Sequence, residues 1–369
     1  MFKLALKTFM FLGLKIILAS PVQAAENRWT HFGVRPLAMG NAFVSVADDF
    51  NALFYNPAGL ARISSWDGEL LNPAISFGTN TSDSFSEVLE LFKSDSEKLA
   101  NILNALEDKT GKNLHFAIDW APHLIFRNFG FGLGLRIGGD LTAHSDIEIE
   151  VKSGLDIIMP FSYAKNFLND RLSVGATVKA RIFAGVKENF DIESIDEFQS
   201  SNDSSETDDN KIVTAGNGLG GDVGILFTPI QTMEPTLGIS ITDIGGTKFS
   251  KRGDPAKAPE NILASVNTGF SFKPYNTKFS YVRVAVEAHS INQPIHYSKK
   301  LHFGTEWAVS SIFSIQSGLN DGYLSGGFEF DVGLLNLRYA TYAVDHGPIV
   351  GLNNDLVDRR HVIQAKLLL

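Results

Sequence analysis

The chain has 369 residues, with 33 Gly, 28 Phe, 5 Met, no cysteine and a formal net charge of −9 at pH 7. That excludes a disulfide framework and a thiolate metal site, and it argues against a nucleic-acid binder, which needs positive charge to meet phosphate. The length allows two or three soluble domains or one large barrel, and a glycine- and phenylalanine-rich chain without cysteine suits a β-barrel assembled in an oxidising compartment, where charge resides in loops and interior.

Residues 1–24 read as a cleaved signal peptide. Lys3 and Lys7 form the positive region, FMFLGLKIILAS is the apolar stretch broken by Lys15, and Val22-Gln23-Ala24 offers the cleavage site. No cysteine follows it, so it does not read as a lipoprotein leader. Behind it no apolar run has the length of a spanning helix, so any membrane span must be built from strands.

The rest of the chain is organised around the stretch Gly33 to Ile63, GVRPLAMGNAFVSVADDFNALFYNPAGLARI. Gly33, Gly40 and Gly59 allow sharp turns. Asp48 and Asp49 are placed to cap a short helical turn that aligns Phe50, Leu53 and Phe54 at i, i+3 and i+4. Asn56 before Pro57 is a second helix start, a capping residue with proline at the first helical position. Such an apolar, glycine-hinged segment cannot bury itself alone and needs an enclosing wall.

The glycine-arginine opening, MGNAF, VADD and YNPAGLA of this stretch resemble the N-terminal segment of FadL-type outer-membrane barrels, the long-chain fatty-acid transporters with their PorV-type and TraF-type relatives. The resemblance covers roughly a tenth of the chain. It implies that residues 25–63 are a hatch folded into the lumen of a barrel formed by 64–369, with Gly40, Asp48, Asp49, Asn56, Pro57 and Ala58 as the hatch motif. Phe50, Phe54 and Leu60 would then stand in the lumen.

From Trp66 onward, period-two alternation dominates. Phe131, Leu133, Leu135 and Ile137 oppose Gly132, Gly134, Arg136 and Gly138; Val174, Ala176, Val178, Ala180 and Ile182 oppose Gly175, Thr177, Lys179 and Arg181; Val282, Val284 and Val286 oppose Arg283, Ala285 and Glu287. Aliphatics on one face and charge on the other are what a lipid-facing barrel wall requires. About fourteen such strands can be placed, starting near Trp66, Asn113, Phe129, Asp146, Arg171, Val213, Pro235, Pro259, Thr277, Lys299, Phe313, Tyr323, Leu335 and Arg359. Even-numbered connections are tight (Arg127-Asn128, Asn169-Asp170, Pro274-Tyr275-Asn276, Ser310-Ser311, Gly333-Leu334), while most odd-numbered ones are long or polar, the pattern of short periplasmic turns and longer outer loops. The fold class is therefore all-β, a transmembrane antiparallel barrel with an internal hatch and a helical first extracellular loop. The last strand ends in Leu369, where many such barrels end in phenylalanine.

The first outer loop, Ser82 to Lys109, carries helical apolar stripes (Phe85, Val88, Leu89, Phe92; Leu99, Ile102, Leu103, Leu106), a lid or a capture surface for an apolar ligand. The third, Lys187 to Lys211, is acidic and serine-rich, a solvated composition without the ligand spacing of a calcium loop. The GNGLGG run at Gly216 precedes strand pattern rather than a helix, so it reads as barrel curvature or close packing, not phosphate binding. The histidines show no helical metal spacing.

Inward charges are Arg136, Asp140, Lys179, Arg181, Arg283, Glu287, Glu306, Glu329, Asp331 and Arg338. Buried charge must be paired or hydrated, so they form an internal salt-bridge network holding the hatch, or some arginines, with Arg136, Arg181 and Arg283 the candidates, meet a ligand carboxylate. No catalytic constellation, cofactor or metal is expected. The resemblance implies passage of hydrophobic small molecules, long-chain fatty acids among them, across the outer membrane of a Gram-negative-type bacterium by a monomer in contact with outer-membrane lipid. The alternative is a PorV- or TraF-like barrel that holds or hands over proteins through its extracellular or periplasmic loops.

Overall fold

The computed structural model describes residues 33–64, 66–83, 113–126, 128–143, 149–190, 213–253, 257–333, 335–346, 350 and 357–367. The leader, residues 84–109 of the first outer loop, acidic residues 191–209 and Leu369 lie outside the described residues. Eighteen strands join in one antiparallel sheet that closes as a barrel of fourteen staves. Three staves are split in two: β1 (Asp67–Glu69) with β2 (Ala74–Gly78), β3 (Asn113–Trp120) with β4 (His123–Phe126), and β5 (Phe129–Gly132) with β6 (Gly134–Ala143). Then come β7 (Ile149–Phe167), β8 (Leu172–Phe190) and β9 (Val213–Phe227), followed by a fourth split stave, β10 (Thr236–Thr242) with β11 (Lys248–Lys251). The wall continues through β12 (Ser265–Asn276), β13 (Tyr281–Ala288), β14 (Leu301–Ala308), β15 (Phe313–Asn320), β16 (Tyr323–Asp331), β17 (Leu335–Asp345) and β18 (Val357–Leu367). Closure is made by β18 on β2, in register from Gln364↔Ala74 to Arg360↔Gly78. A closed ring leaves no edge strand, which is the condition for crossing a bilayer with strands.

The expected alternation is present as two opposed faces. Along β8, Ser173, Gly175, Thr177 and Arg181 are buried inward, while Val174, Ala176 and Val178 are exposed outward. Arg283, Ala285 and Glu287 on β13 are likewise buried, and Val286 between them is exposed. Large apolar side chains such as Phe131, Ile137, Phe161, Leu219 and Trp307 cover the outside. That distribution inverts the soluble pattern and fits lipid as the outer solvent. Among the described residues no helix is long and apolar enough to cross a membrane.

The breaks in the first staves are stitched rather than left open. Asn72, between β1 and β2, donates from Nδ2 to the Ala121 carbonyl at 2.7 Å and accepts the Ala121 N–H at Oδ1 at 3.1 Å. A side-chain amide thus continues the ladder where β3 ends. Pro122 has no N–H to offer, and its carbonyl accepts from Leu133 N at 2.9 Å.

Two sequence expectations need correction. Pro274-Tyr275-Asn276 is not the tight turn: β12 continues through it by a bulge between Phe272 and Tyr275, which accommodates a proline without a ladder donor. The connection to β13 is instead 277–280, closed by Ser280 N–H on Thr277 Oγ1 at 3.1 Å. Residues 187–190, expected in the acidic loop, belong to β8 and pair with β7 as far as Phe190↔Ile149. Of the helical first loop, the described residues include one short helix, Thr79–Asp83.

Inside the ring, residues 33–64 form the core with the wall. Met39, Phe43, Val46, Phe50, Leu53, Tyr55 and Leu60 pack with Ile125, Ile158 and Leu226 of the wall. A second cluster joins Val34, Leu37 and Ala38 to Ala74, Ala340, Tyr342 and Val362.

Candidate functional site

The N-terminal segment starts with α1 (Val34–Ala38), stopped by Gly40 in the left-handed region at φ 64°. Glycine ends helices this way because it has no Cβ to clash. Here it also has no room for one, since a Cβ on Gly40 would lie 2.5 Å from the Leu319 carbonyl oxygen. Asn41 follows at φ 62° and hydrogen-bonds Asn320 of β15 at 2.8 Å.

Next come α2 (Ala52–Tyr55) and a 3₁₀ helix, Pro57–Arg62. As the sequence suggests, Asn56 caps the latter, its Oδ1 accepting from Ala58 N at 3.2 Å with Pro57 in the first turn. The amide then does more: Nδ2 donates to Val44 O at 2.8 Å and lies 3.3 and 3.4 Å from the carbonyls of Ile225 and Ile239 on β9 and β10. Of the two expected caps, Asp48 makes none, and Asp49 caps the turn that leads into α2. Asn51, directly before α2, makes no side-chain capping bond, while Asp49 Oδ1 accepts both the Asn51 N–H at 2.8 Å and Asn51 Nδ2 at 2.7 Å.

Both aspartates also join a partly buried ion cluster. Arg35 Nη1 lies 2.8 Å from both Asp48 Oδ1 and Asp49 Oδ2, and its Nε and Nη2 hold Glu306 of β14 at 2.6 and 2.8 Å. Arg283 of β13 reaches Asp48 Oδ2 at 2.8 Å and Glu306 Oε2 at 3.4 Å. The forked guanidinium meets several carboxylates at once in a fixed planar geometry. Burial alone would push the Asp48 carboxyl up, but Arg283 and Arg35 outweigh it and hold it well below the usual carboxylate range. Asp49 goes the other way: burial pushes it up, and the Asp48 charge adds to that against the pull of Arg35. Three acids share two arginines, and the surplus falls on Asp49.

A second grip is Glu287 of β13. Its Oε2 accepts Val44 N and its Oε1 accepts both Ser45 N and Ser45 Oγ, all at 2.8 Å. Gly269 on the neighbouring strand leaves room for this carboxylate, since a Cβ there would stand 2.6 Å from Glu287 Cγ.

The wall is moulded to the segment by glycines at inward positions. Gly175 and Gly224 are register partners across β8 and β9. A Cβ on the first would stand 2.4 Å from the Pro57 carbonyl carbon, and on the second 1.9 Å from Asn56 Oδ1. Gly304 and Gly318, partners across β14 and β15, receive Met39 in the same way at 2.5 Å. Gly238 on β10 receives Val44 and Ser45 at 2.7 Å. Close backbone approach of this kind is what an inward glycine permits.

The expected lumen-facing residues divide accordingly. Phe50 is buried with its ring stacked on His123 at 4.2 Å, Leu60 is fully buried against Gly130, and Phe54 is half-buried on the same core. Arg136 pairs with Asp119 at 3.2 Å, Arg181 with Asp156 through Nε at 3.0 Å, and Arg283 with Asp48 and Glu306. Of the inward charges, Arg283, Glu287 and Glu306 hold the segment. The others fasten wall to wall, as Arg360 does on Asp140, Lys179 on Asp222 and Asp243, and Arg338 on Glu329. Among the described residues one group has the spacing of metal ligands, Asp67, Glu69 and His123, directly beside Phe50.

Comparison with solved structures places this architecture. The CymD monoaromatic hydrocarbon channel superposes with a TM-score of 0.55 over 92% of this chain and 97% of its own, at 13% sequence identity. The Ralstonia pickettii toluene transporter TbuX gives 0.52 over 92% and 99% at 14% identity, and the Pseudomonas putida toluene transporter TodX gives 0.50 over 94% and 98% at 12%. The chain has the barrel fold of these channels. No family model and no curated protein matches its sequence. At these identities the agreement is one of fold, carried by the near-complete coverage of both chains.

Sequence reasoning placed Glu287 among the charges holding the segment but not on backbone N–H groups, and it missed the roles of Asn72 and His123 and the docking role of Gly175, Gly224, Gly304 and Gly318. A signal existed for the glycines: Gly175 falls on the inward register of an otherwise regular alternation, where a wall needing only to fill space would carry a side chain.

Proposed function

We propose that the protein passes hydrophobic small molecules across the outer membrane of a Gram-negative-type bacterium, with residues 25–63 as the hatch of the barrel 64–369. The observation that carries this reading is the fold shared, over more than nine-tenths of each chain, with a monoaromatic hydrocarbon channel and two toluene transporters. The apolar exterior supports the membrane location. Arg136, Arg181 and Arg283 each hold an internal carboxylate already, so a fatty-acid carboxylate would have to displace one of these partners. That favours an uncharged hydrophobic ligand over long-chain fatty acids. Hydrophobic sites take affinity from apolar area removed from water, which such a ligand supplies without a charge to desolvate.

The test is native mass spectrometry of protein purified in mild detergent and incubated with equimolar neutral aromatic and long-chain fatty acid. The reading expects retention of the neutral compound at one or a few copies. Preferential retention of the fatty acid would reverse the ligand assignment, and retention of neither would favour the protein-handling alternative.

A further inference from the structure

His123 stands on β4 directly opposite Glu69 of β1, with Asp67 two residues away on the same strand. Its side chain is 1% exposed. Nδ1 lies 3.0 Å from the Ala121 carbonyl oxygen, which can only accept, so Nδ1 carries the hydrogen. In the neutral ring Nε2 then presents a lone pair. That atom is buried and has no hydrogen-bond partner. The groups it faces are two carboxylates, Asp67 Oδ2 at 3.7 Å and Glu69 Oε1 at 3.9 Å. A lone pair aimed between two anions calls for a cation.

We propose that Asp67, Glu69 and His123 bind one borderline divalent cation of the Zn²⁺ class, in competition with the ammonium of Lys366. One ligand atom from each residue already lies within 4.8 Å of the others. Metal bonds of about 2.0–2.2 Å to nitrogen and carboxylate oxygen leave ligand atoms roughly 3–4 Å apart, so closing the set takes side-chain shifts of up to about an ångström. One imidazole with two carboxylates suits zinc and its neighbours better than magnesium or calcium, which take oxygen alone.

The surroundings orient the ligands as outer-shell groups do. Asn72 Nδ2 donates to Glu69 Oε2 at 3.1 Å, fixing which carboxylate oxygen turns toward His123. The same amide pairs with Ala121, whose carbonyl sets the imidazole tautomer. The ring itself is pinned by Phe50, stacked at 4.2 Å with planes 6° apart. A bound cation would therefore tie the first and second staves to each other and to the hatch. Lys366 of the last stave sits on Glu69 Oε1 and is the protein's own cation at this point. The proposal is independent of what the barrel transports.

The test uses the full chain, folded in mild detergent, stripped with a chelator and titrated with Co²⁺ as a spectroscopic stand-in for Zn²⁺. Expected is one saturable site with visible absorption bands, displaced by Zn²⁺ and lost in His123→Gln and Asp67→Asn. Lys366→Met should tighten it by on the order of tenfold, since a competing positive charge is removed from the same oxygen. X-ray absorption on the Zn²⁺-loaded wild-type protein should show one imidazole ligand, a readout that needs no variant to fold. Absence of a saturable site would overturn the proposal. Oxygen-only ligation, or undiminished binding by His123→Gln, would overturn it by placing the cation elsewhere.

Discussion

Asn56 Oδ1 occupies the space that a Cβ on Gly224 would fill, at 1.9 Å. The N-terminal segment and the wall are thus complementary at the level of single missing atoms, and the complementarity is testable residue by residue.

Gly224→Ala and Gly175→Val should separate two degrees of overlap. At Gly224 the obstacle is a side-chain amide, whereas at Gly175 it is the Pro57 backbone at 2.4 Å. Overpacking costs typically 1–3 kcal/mol, with backbone obstacles at the upper end of roughly that range. Both barrels are expected to assemble, and limited proteolysis around Asp48 should accelerate more for Gly175→Val. Equal protection in wild type and both variants would mean that the segment is not docked on these glycines.

Glu287 is expected to matter as an acceptor rather than as a charge. Glu287→Ala leaves the Val44 and Ser45 N–H groups without the oxygens they now meet at 2.8 Å, at roughly 1–3 kcal/mol for each buried orphan. Glu287→Gln keeps one oxygen and should lose about half as much. Hydrogen exchange at Val44 and Ser45 measures this directly; faster exchange in Gln than in Ala would contradict the assignment.

The two faces of β13 give opposite phenotypes. Val284→Arg places a cation in lipid, at roughly 2–4 kcal/mol near the midplane, and should reduce the heat-modifiable folded band. Arg283→Asp places an acid beside Asp48 and Glu306, and should leave the band while loosening the segment. If both variants depress the folded band alike, the face assignment fails.

Most of the wall could be read from the chain, and most of its fastening could not. Val174 to Val178 announce their faces because alternation is local: each residue's environment follows from its neighbours two away. Asn56-Pro57 was legible for the same reason, since a cap acts within a few residues. Glu287 on Val44, Asn72 on Ala121 and Arg35 on Glu306 join positions far apart in sequence, so nothing near any of them marks the partner. Asp49 serves both kinds of contact: Oδ1 accepts the Asn51 N–H two residues away, which the sequence announces, and Oδ2 meets Arg35, which nothing local marks.

Asp321 provides a pH test outside the spanning strands. It forms a two-residue turn with Gly322, both at positive φ (49° and 77°), which Asn-Gly fits at least as well as Asp-Gly. Burial pushes its carboxyl up to about 6 from 3.8, with Asp345 adding to the rise and Lys299 opposing it. The folded state therefore binds more protons than the unfolded one between those values, and this group's contribution to stability falls as pH rises through that window. Asp321→Asn should raise the unfolding temperature at pH 7 and flatten its decline between about pH 4 and 6. A variant less stable than wild type at pH 7 would show that the ionised carboxylate is needed in the turn.

The central claim is passage of uncharged hydrophobic molecules, and uptake measures it most directly. Cells lacking their own hydrophobic-compound channels, with the protein shown to be folded and surface-exposed, are given limiting radiolabelled toluene or oleate. The account expects faster toluene entry than in vector-only cells, little change for oleate, and an altered toluene rate in Gly175→Val. Unchanged toluene entry with the folded barrel present at the surface would contradict it.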